Sequence, residues 1–227
     1  MDVKEVIKKL EALENPRNVA GMARFGIRPK TKVFGVAIPE VRKIAKIIKK
    51  DHQLAQKLWD TKIHEARILA SMIAVSEELT LGQINEWVGD FDSWDVCDQT
   101  CMNLLWKSKL VKNQILKFAR NKQEFIKRTA FALMAVLAVH DKEMKDKDFV
   151  KFFPLIKKAS TDERNFVKKA INWALRQIGK RNKNLNIQAL KLAKEIQKIE
   201  SKSAKWVAGD AIKELTSEKV QKRLKIK

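Results

Sequence analysis

The sequence predicts an all-α fold, an α-α superhelix of stacked antiparallel helix pairs with a concave basic groove. Three observations carry that expectation. Apolar residues recur at the helical spacing along nearly the whole chain. No segment alternates apolar and polar residues between turn signals, as a half-buried strand would. One apolar-basic segment returns at an offset of 41 residues, which is the mark of a repeated helical unit.

The elements follow in order. Val3, Val6, Ile7, Leu10 and Leu13 form the first stripe. Residues 26 to 38, with Gly26, Pro29 and Gly35, break the pattern and read as a basic loop. Pro39 suits the first turn of the next helix, whose stripe is Val41, Ile44, Ala45 and Ile48. Ile63-Ala66-Ala70-Ile73 and Leu81-Ile84 come next, then Ser93 as an N-cap. Ile115-Phe118-Ala119, Ile126-Thr129-Leu133-Val136 and Phe149-Phe153-Ile156 follow, and Thr161-Asp162 reads as a further N-cap. Phe166-Ala170-Ala174-Ile178 runs to Gly179, a helix-ending glycine with Lys180 and Arg181 behind it. Ile187-Leu190-Ala193 and Val207-Ile212-Leu215 complete the set. Ordered helices are expected to about residue 220, with a short basic tail after them. The repeated segment aligns Phe125-Ile126-Lys127-Arg128-Thr129-Ala130 with Phe166-Val167-Lys168-Lys169-Ala170-Ile171. Its spacing falls inside the HEAT-type period of about 40 to 47 residues, so the pairs are expected to stack as one HEAT-like domain over 1–227.

Charge narrows the function. Lys and Arg number 48 against 27 Asp and Glu, a net +21 spread along the chain rather than gathered in a tail. Such a field attracts polyanions, with binding that weakens steeply in salt. A charged surface also confers solubility, but solubility needs far less net charge. No stretch reaches the roughly 18 apolar residues of a membrane span, and the charged start MDVKEVIKKL is no signal peptide. A soluble, cytoplasmic, nucleoid-associated protein is expected. Cys97 and Cys101, four residues apart, read as free, partly buried thiols. His52, His64 and His140 lie at no ligand spacing to them, so neither a metal nor a cofactor is expected. Phosphate-cradling glycine loops are absent as well.

Stepping about 100° per residue turns the helices into a site. On the helix around 164 to 178, Lys169 and Arg176 lie together outside the apolar arc, with Trp173 between them and its edge. The preceding repeat places Arg128, Ala132 and Ala135 at matching angles. Arg128, Lys169 and Arg176 are thus expected along one groove, with small alanines beside the indole. Tryptophan at a core edge often only packs, yet an indole flanked by cations suits a ring that meets sugar or base while its neighbours hold phosphates. The acidic run Asp90-Phe91-Asp92-Ser93-Trp94-Asp95-Val96-Cys97-Asp98 is the other element. Asp92 and Asp95 have an ordinary explanation in capping and the helix dipole. Asp98 lies one turn beyond Trp94 at the margin of the apolar face. It is either ion-paired to an arginine of the next helix or turned toward a cationic reaction centre.

These segments resemble the DNA alkylation repair enzymes built from HEAT-like repeats, which are alkylpurine DNA glycosylases. The likeness spans nearly the whole chain. It rests on Met22-Ala23-Arg24-Phe25, Phe34-Gly35-Val36, Ile38-Pro39-Glu40 with Arg42, Ser93-Trp94-Asp95-Val96-Cys97-Asp98, Lys127-Arg128 and Ala170-Ile171-Asn172-Trp173-Ala174-Leu175-Arg176. By that resemblance Asp98 is the catalytic carboxylate, Trp94 and Trp173 frame the lesion's deoxyribose, and Arg128 and Arg176 hold the backbone. Phe25 stands where the family often has Tyr, which removes a hydroxyl. Lys169, Lys180, Arg181 and Phe25 are further expected DNA contacts. The implied partner is duplex DNA containing alkylated bases, bound by a monomer.

Two other classes remain open. A non-catalytic HEAT-like scaffold for nucleic acid or an acidic protein would keep the basic groove without needing Asp98. A Mg²⁺-dependent nuclease would use Asp90, Asp92, Asp95 and Asp98, although residues so spaced point to different helix faces.

Overall fold

The computed structural model describes residues 1–225. Among them there are sixteen α-helices and no strand. Where the sequence shows no boundary, the chain packs as two compact units, Met1–Lys112 and Asn113–Lys227.

The first unit holds α1 (Val3–Glu11), α2 (Pro16–Met22), α3 (Ile38–Ile48), α4 (His52–Asp60), α5 (His64–Ile73), α6 (Leu81–Gly89), α7 (Trp94–Asn103) and α8 (Lys109–Lys112). Asp2 and Glu5 form a capping box at the start of α1, satisfying two otherwise orphan amides. Val6 and Leu10 of its stripe are buried, while Leu13 falls past the helix end and is exposed. Pro39 sits in the first turn of α3 as expected. Helix α5 is the centre of the unit, packing on α1, α3, α4 and α7, and is buried over nearly its whole length. Beside it Trp59 and Trp87 stack with centroids 4.1 Å apart and planes 3° from parallel.

The expected basic loop runs irregularly from Gly26 to Ala37, but its second half is core. Phe34 is fully buried and Val36 nearly so. Gly35 has φ +74°, and a Cβ there would stand 2.5 Å from the Asn15 carbonyl oxygen. Only glycine fits that conformation and that approach.

The second unit holds α9 (Ile115–Ala119), α10 (Glu124–His140), α11 (Asp146–Val150), α12 (Phe153–Ala159), α13 (Asn165–Gly179), α14 (Lys183–Gln197), α15 (Lys202–Leu215) and α16 (Glu218–Lys225). Helices α10 and α13 start 41 residues apart, as the internal match requires, and pack on each other. Helix α13 also contacts α12, α14 and α15.

Several local expectations need correction. The stripe Phe149-Phe153-Ile156 is split between α11 and α12, because Pro154 starts a new helix. Arg164, not Thr161 or Asp162, occupies the N-cap position of α13, and Asp162 instead accepts from the Arg164 amide. Helix α14 buries Leu185, Ala189, Leu192, Ala193 and Ile196, leaving Ile187 60% exposed. In α15 the buried row is Ala204, Val207, Ala208, Ala211 and Leu215, with Ile212 only half-buried. The expected tail after 220 is helical to Lys225. Gly179 ends α13, but the reason is packing rather than a left-handed turn. A Cβ on it would lie 2.7 Å and 2.8 Å from the two methyls of Leu215 and 3.0 Å from Ala189.

Candidate functional site

In the first unit, Phe25, Trp94 and Asp98 are the residues expected to act. Ser93 takes the N-cap position of α7 without a side-chain cap bond. Trp94 then opens the helix with its indole N–H donating to the Phe25 carbonyl at 3.0 Å. Phe25 belongs to a 3-10 turn, Ala23–Phe25, closed by Gly26 in the left-handed conformation. Its ring is 71% exposed. The structure thus joins two predicted residues through a backbone contact that no spacing rule reveals, and it aims an aromatic ring outward beside them. Asp98, one turn further along α7, is only 8% exposed. Cys97 and Cys101 flank it as thiols outside any disulfide, fully buried rather than partly so.

The other acids of this run have structural partners. Asp90 accepts from the Trp59 indole at 3.1 Å and pairs with Lys62 and Arg67. Burial opposes its ionisation, but Lys62 and Trp59 bonding to it holds its carboxyl below the usual range. Asp92 accepts the Lys30 amide at 3.1 Å and lies 3.8 Å from Arg67. Asp95 meets His64 Nε2 at 2.8 Å. Burial alone would push His64 down, yet the hydrogen bond and charge of Asp95 raise its pKa and lower that of Asp95. Beyond any part at the helix start, Asp92 and Asp95 have partners elsewhere in the unit. They tie the basic loop and α5 to the start of α7. Spoken for in this way, they form no carboxylate cluster, and no three His, Cys, Asp or Glu among the described residues could hold a metal.

Sequence reasoning missed Glu65. Its buried carboxylate accepts the amides of Phe34, Gly35 and Val36 at 3.0, 2.7 and 3.3 Å, fixing the loop that leads from the Phe25 turn into α3.

In the second unit, Arg128 on α10 is buried and donates through Nη1 to the Phe166 carbonyl of α13. Phe125 and Phe166 stack with centroids 5.8 Å apart. Lys127 bonds Asp162 at 3.1 Å; although burial resists, Arg164 and Lys127 together bring the Asp162 pKa down to about 2. Along α13, Lys169 is exposed and Trp173 half-buried, as the helical wheel requires. Arg176 is not an open cation. Its Nη1 lies 2.5 Å from Glu214 and 3.5 Å from Asp210 on α15. Lys180 holds the other oxygen of Glu214 at 2.6 Å. Arg181 donates to the carbonyls of Ala138 and Met144 and lies 4.7 Å over the Phe149 ring. Arg176, Lys180 and Arg181 therefore carry structural contacts as well as charge.

The family profile described as DNA alkylation repair enzyme matches residues 6–215. The chain belongs to the DNA alkylation repair enzyme family. Among solved structures, this family member is similar to a protein described as one of "a new family of proteins related to the HEAT-like repeat DNA glycosylases with affinity for branched DNA structures". The TM-score is 0.83 at 22% identity, covering 99% of this chain and 96% of that one. At that identity the likeness speaks to fold, and it bears out the HEAT-like helical architecture. A designed armadillo repeat protein aligns with a TM-score of 0.38 and 16% identity over 78% of this chain and 92% of that one. A search of curated proteins finds no match.

Proposed function

We propose that this DNA alkylation repair family member is a monofunctional DNA glycosylase. It hydrolyses the N-glycosidic bond of cationic N3- or N7-alkylated purines in duplex DNA and leaves an abasic site, without metal or cofactor. The observation that carries this reading is Asp98. It is a carboxylate 8% exposed on α7, one turn after a tryptophan fixed by its own N–H, in a chain of net charge +21. A carboxylate so placed can stabilise positive charge that develops on a bound sugar.

The chemistry fits. An alkylated purine already carries positive charge and leaves readily, so the enzyme's task is to stabilise the oxocarbenium-like sugar. A carboxylate at about 4 Å contributes roughly 4 kcal/mol at an effective dielectric near 20, about a thousandfold in rate. An indole face adds about 0.5 to 2 kcal/mol by cation–π attraction. Trp94 is assigned that role beside Asp98, and Trp173 a second sugar contact. Arg128, Lys169, Arg176, Lys180 and Arg181 are assigned to backbone phosphates, and the exposed Phe25 ring to a duplex contact.

The solved neighbour's described affinity for branched DNA favours a second reading, a structure-selective DNA binder without chemistry. One assay separates the two. Methylated duplex DNA is incubated with the protein and with Asp98→Asn, and released bases are resolved by chromatography. The glycosylase reading expects release by the wild type and a loss of about a thousandfold in the variant. Absence of release from a wild-type protein that binds branched DNA would establish the second reading.

A further inference from the structure

The second unit contains a hollow whose wall joins Lys180 and Arg181, assigned above to DNA phosphates, to residues that the proposed function leaves without a role. It has a volume of about 390 Å³ and is lined by Ala138, Val139, Lys142, Gln177, Lys180, Arg181, Asn182 and Arg223. That volume lies in the range of about 300 to 1,000 Å³ typical of ligand sites. Four of the eight lining residues are cations, two are amides, and none is an acid.

Each cation has a local partner. Lys142 Nζ donates to the Val139 carbonyl, Arg181 Nη1 to that of Ala138 and Arg223 Nη2 to that of Lys180. These carbonyls belong to the last turn of α10 and the end of α13, where partial negative charge favours cations. End-capping accounts for the presence of a cation at each helix end. It does not account for four of them, drawn from α10–α11, α13 and α16, around an open hollow whose remaining polar groups are neutral amides. Glu214 is the carboxylate that pairs with one of the four, through Lys180. A helix end contributes about half a negative charge, so two ends and Glu214 leave the four cations in excess by about two.

We propose that this hollow is a phosphate-binding pocket. Arg223 offers a planar donor suited to phosphate oxygens, Lys142 and Lys180 act as point charges, and Arg181, whose Nη atoms bond the carbonyls of Ala138 and Met144, adds its charge. Gln177 supplies a neutral donor, while the Asn182 amide is taken by Asp146. The occupant is a phosphate group, of the DNA backbone or of a free phosphate compound. Only the DNA source rests on the function proposed above, and the pocket does not depend on base release.

The test uses the full chain, its Lys142→Gln and Arg223→Gln variants and their double variant, all on exposed side chains. Circular dichroism melts check that each folds. Titrations with inorganic pyrophosphate and with undamaged duplex DNA between 50 and 200 mM salt separate the two sources. A DNA-backbone phosphate predicts that each substitution flattens the log affinity versus log salt slope by about 1. A free phosphate compound predicts pyrophosphate binding that the double variant loses, with the DNA slope unchanged. Neither probe being affected in the folded double variant overturns the pocket, whatever the glycosylase assay shows.

Discussion

Glu214 pairs with Arg176 and Lys180, two cations proposed above to meet DNA phosphates, and its removal is predicted to tighten DNA binding while loosening the fold. Its two oxygens lie 2.5 Å from Arg176 and 2.6 Å from Lys180, and the two cations hold its carboxyl below the usual range although burial opposes them. Glu214→Gln keeps the shape and removes one negative charge. A unit charge about 4 Å from a phosphate is worth roughly 1 kcal/mol in water and 4 kcal/mol at an effective dielectric near 20. At 29% side-chain exposure, about 1–2 kcal/mol is the reasonable range, a gain of roughly five- to thirtyfold in affinity at low salt. The slope of log affinity against log salt should steepen by about 0.9. Two partly exposed ion pairs lost together cost about 1 kcal/mol, or about 2–4 °C in Tm. Fluorescence anisotropy on labelled undamaged duplex from 50 to 200 mM salt reads the first effect and calorimetry the second. Binding that weakens, with an unaltered slope, would show that Glu214 positions the cations rather than competing for them.

Two further outcomes follow from geometry already described. The His64–Asp95 pair should make stability depend on pH. His64 has a raised pKa, so its contribution is complete below about 6.5, the ordinary histidine value, and fades as pH climbs through the higher folded value. Asp95 has a lowered pKa, so its contribution is complete above about 3.9, the ordinary aspartate value, and fades as pH falls. The pair is therefore strongest between those two values. His64→Gln should abolish the alkaline decline in Tm, and an identical pH profile for the variant would dismiss the pair as its cause. Gly179→Ala should cost about 1–3 kcal/mol by overpacking, because its methyl would sit 2.7 Å from Leu215. An unchanged denaturation midpoint would mean that Leu215 moves aside freely.

Much of the architecture can be read directly from periodicity. Helices α10 and α13 stand where the repeated Phe125 and Phe166 segments put them, because a local apolar phase sets both. The reading fails where two apolar phases compete. Around 185–196 the residues Ile187 and Leu190 define one stripe and Leu185, Ala189, Leu192 and Ile196 another, and packing on α13 and α15 selects the second. Trp94 and Asp98 on α7, and Lys169 and Trp173 on α13, can be placed on their helix faces from spacing alone. Their partners cannot. Glu214 lies 38 residues from Arg176, and His64 lies 31 from Asp95. Such pairings come from the stacking of one helix on the next, and nothing in either local segment announces them. Pro154, by contrast, marks the break between α11 and α12 in plain view, and a stricter weighting of proline divides that stripe correctly.

Glu65 makes a long-range dependency out of what looks like a local loop. Three successive amides of the segment between α2 and α3 end on one carboxylate of α5. A fragment excised before residue 60 would strand those buried hydrogens without an acceptor. The opening helices are consequently not a portable piece. Any graft, split protein or chimera must carry α5 along with them, or the path that presents the Phe25 turn dissolves.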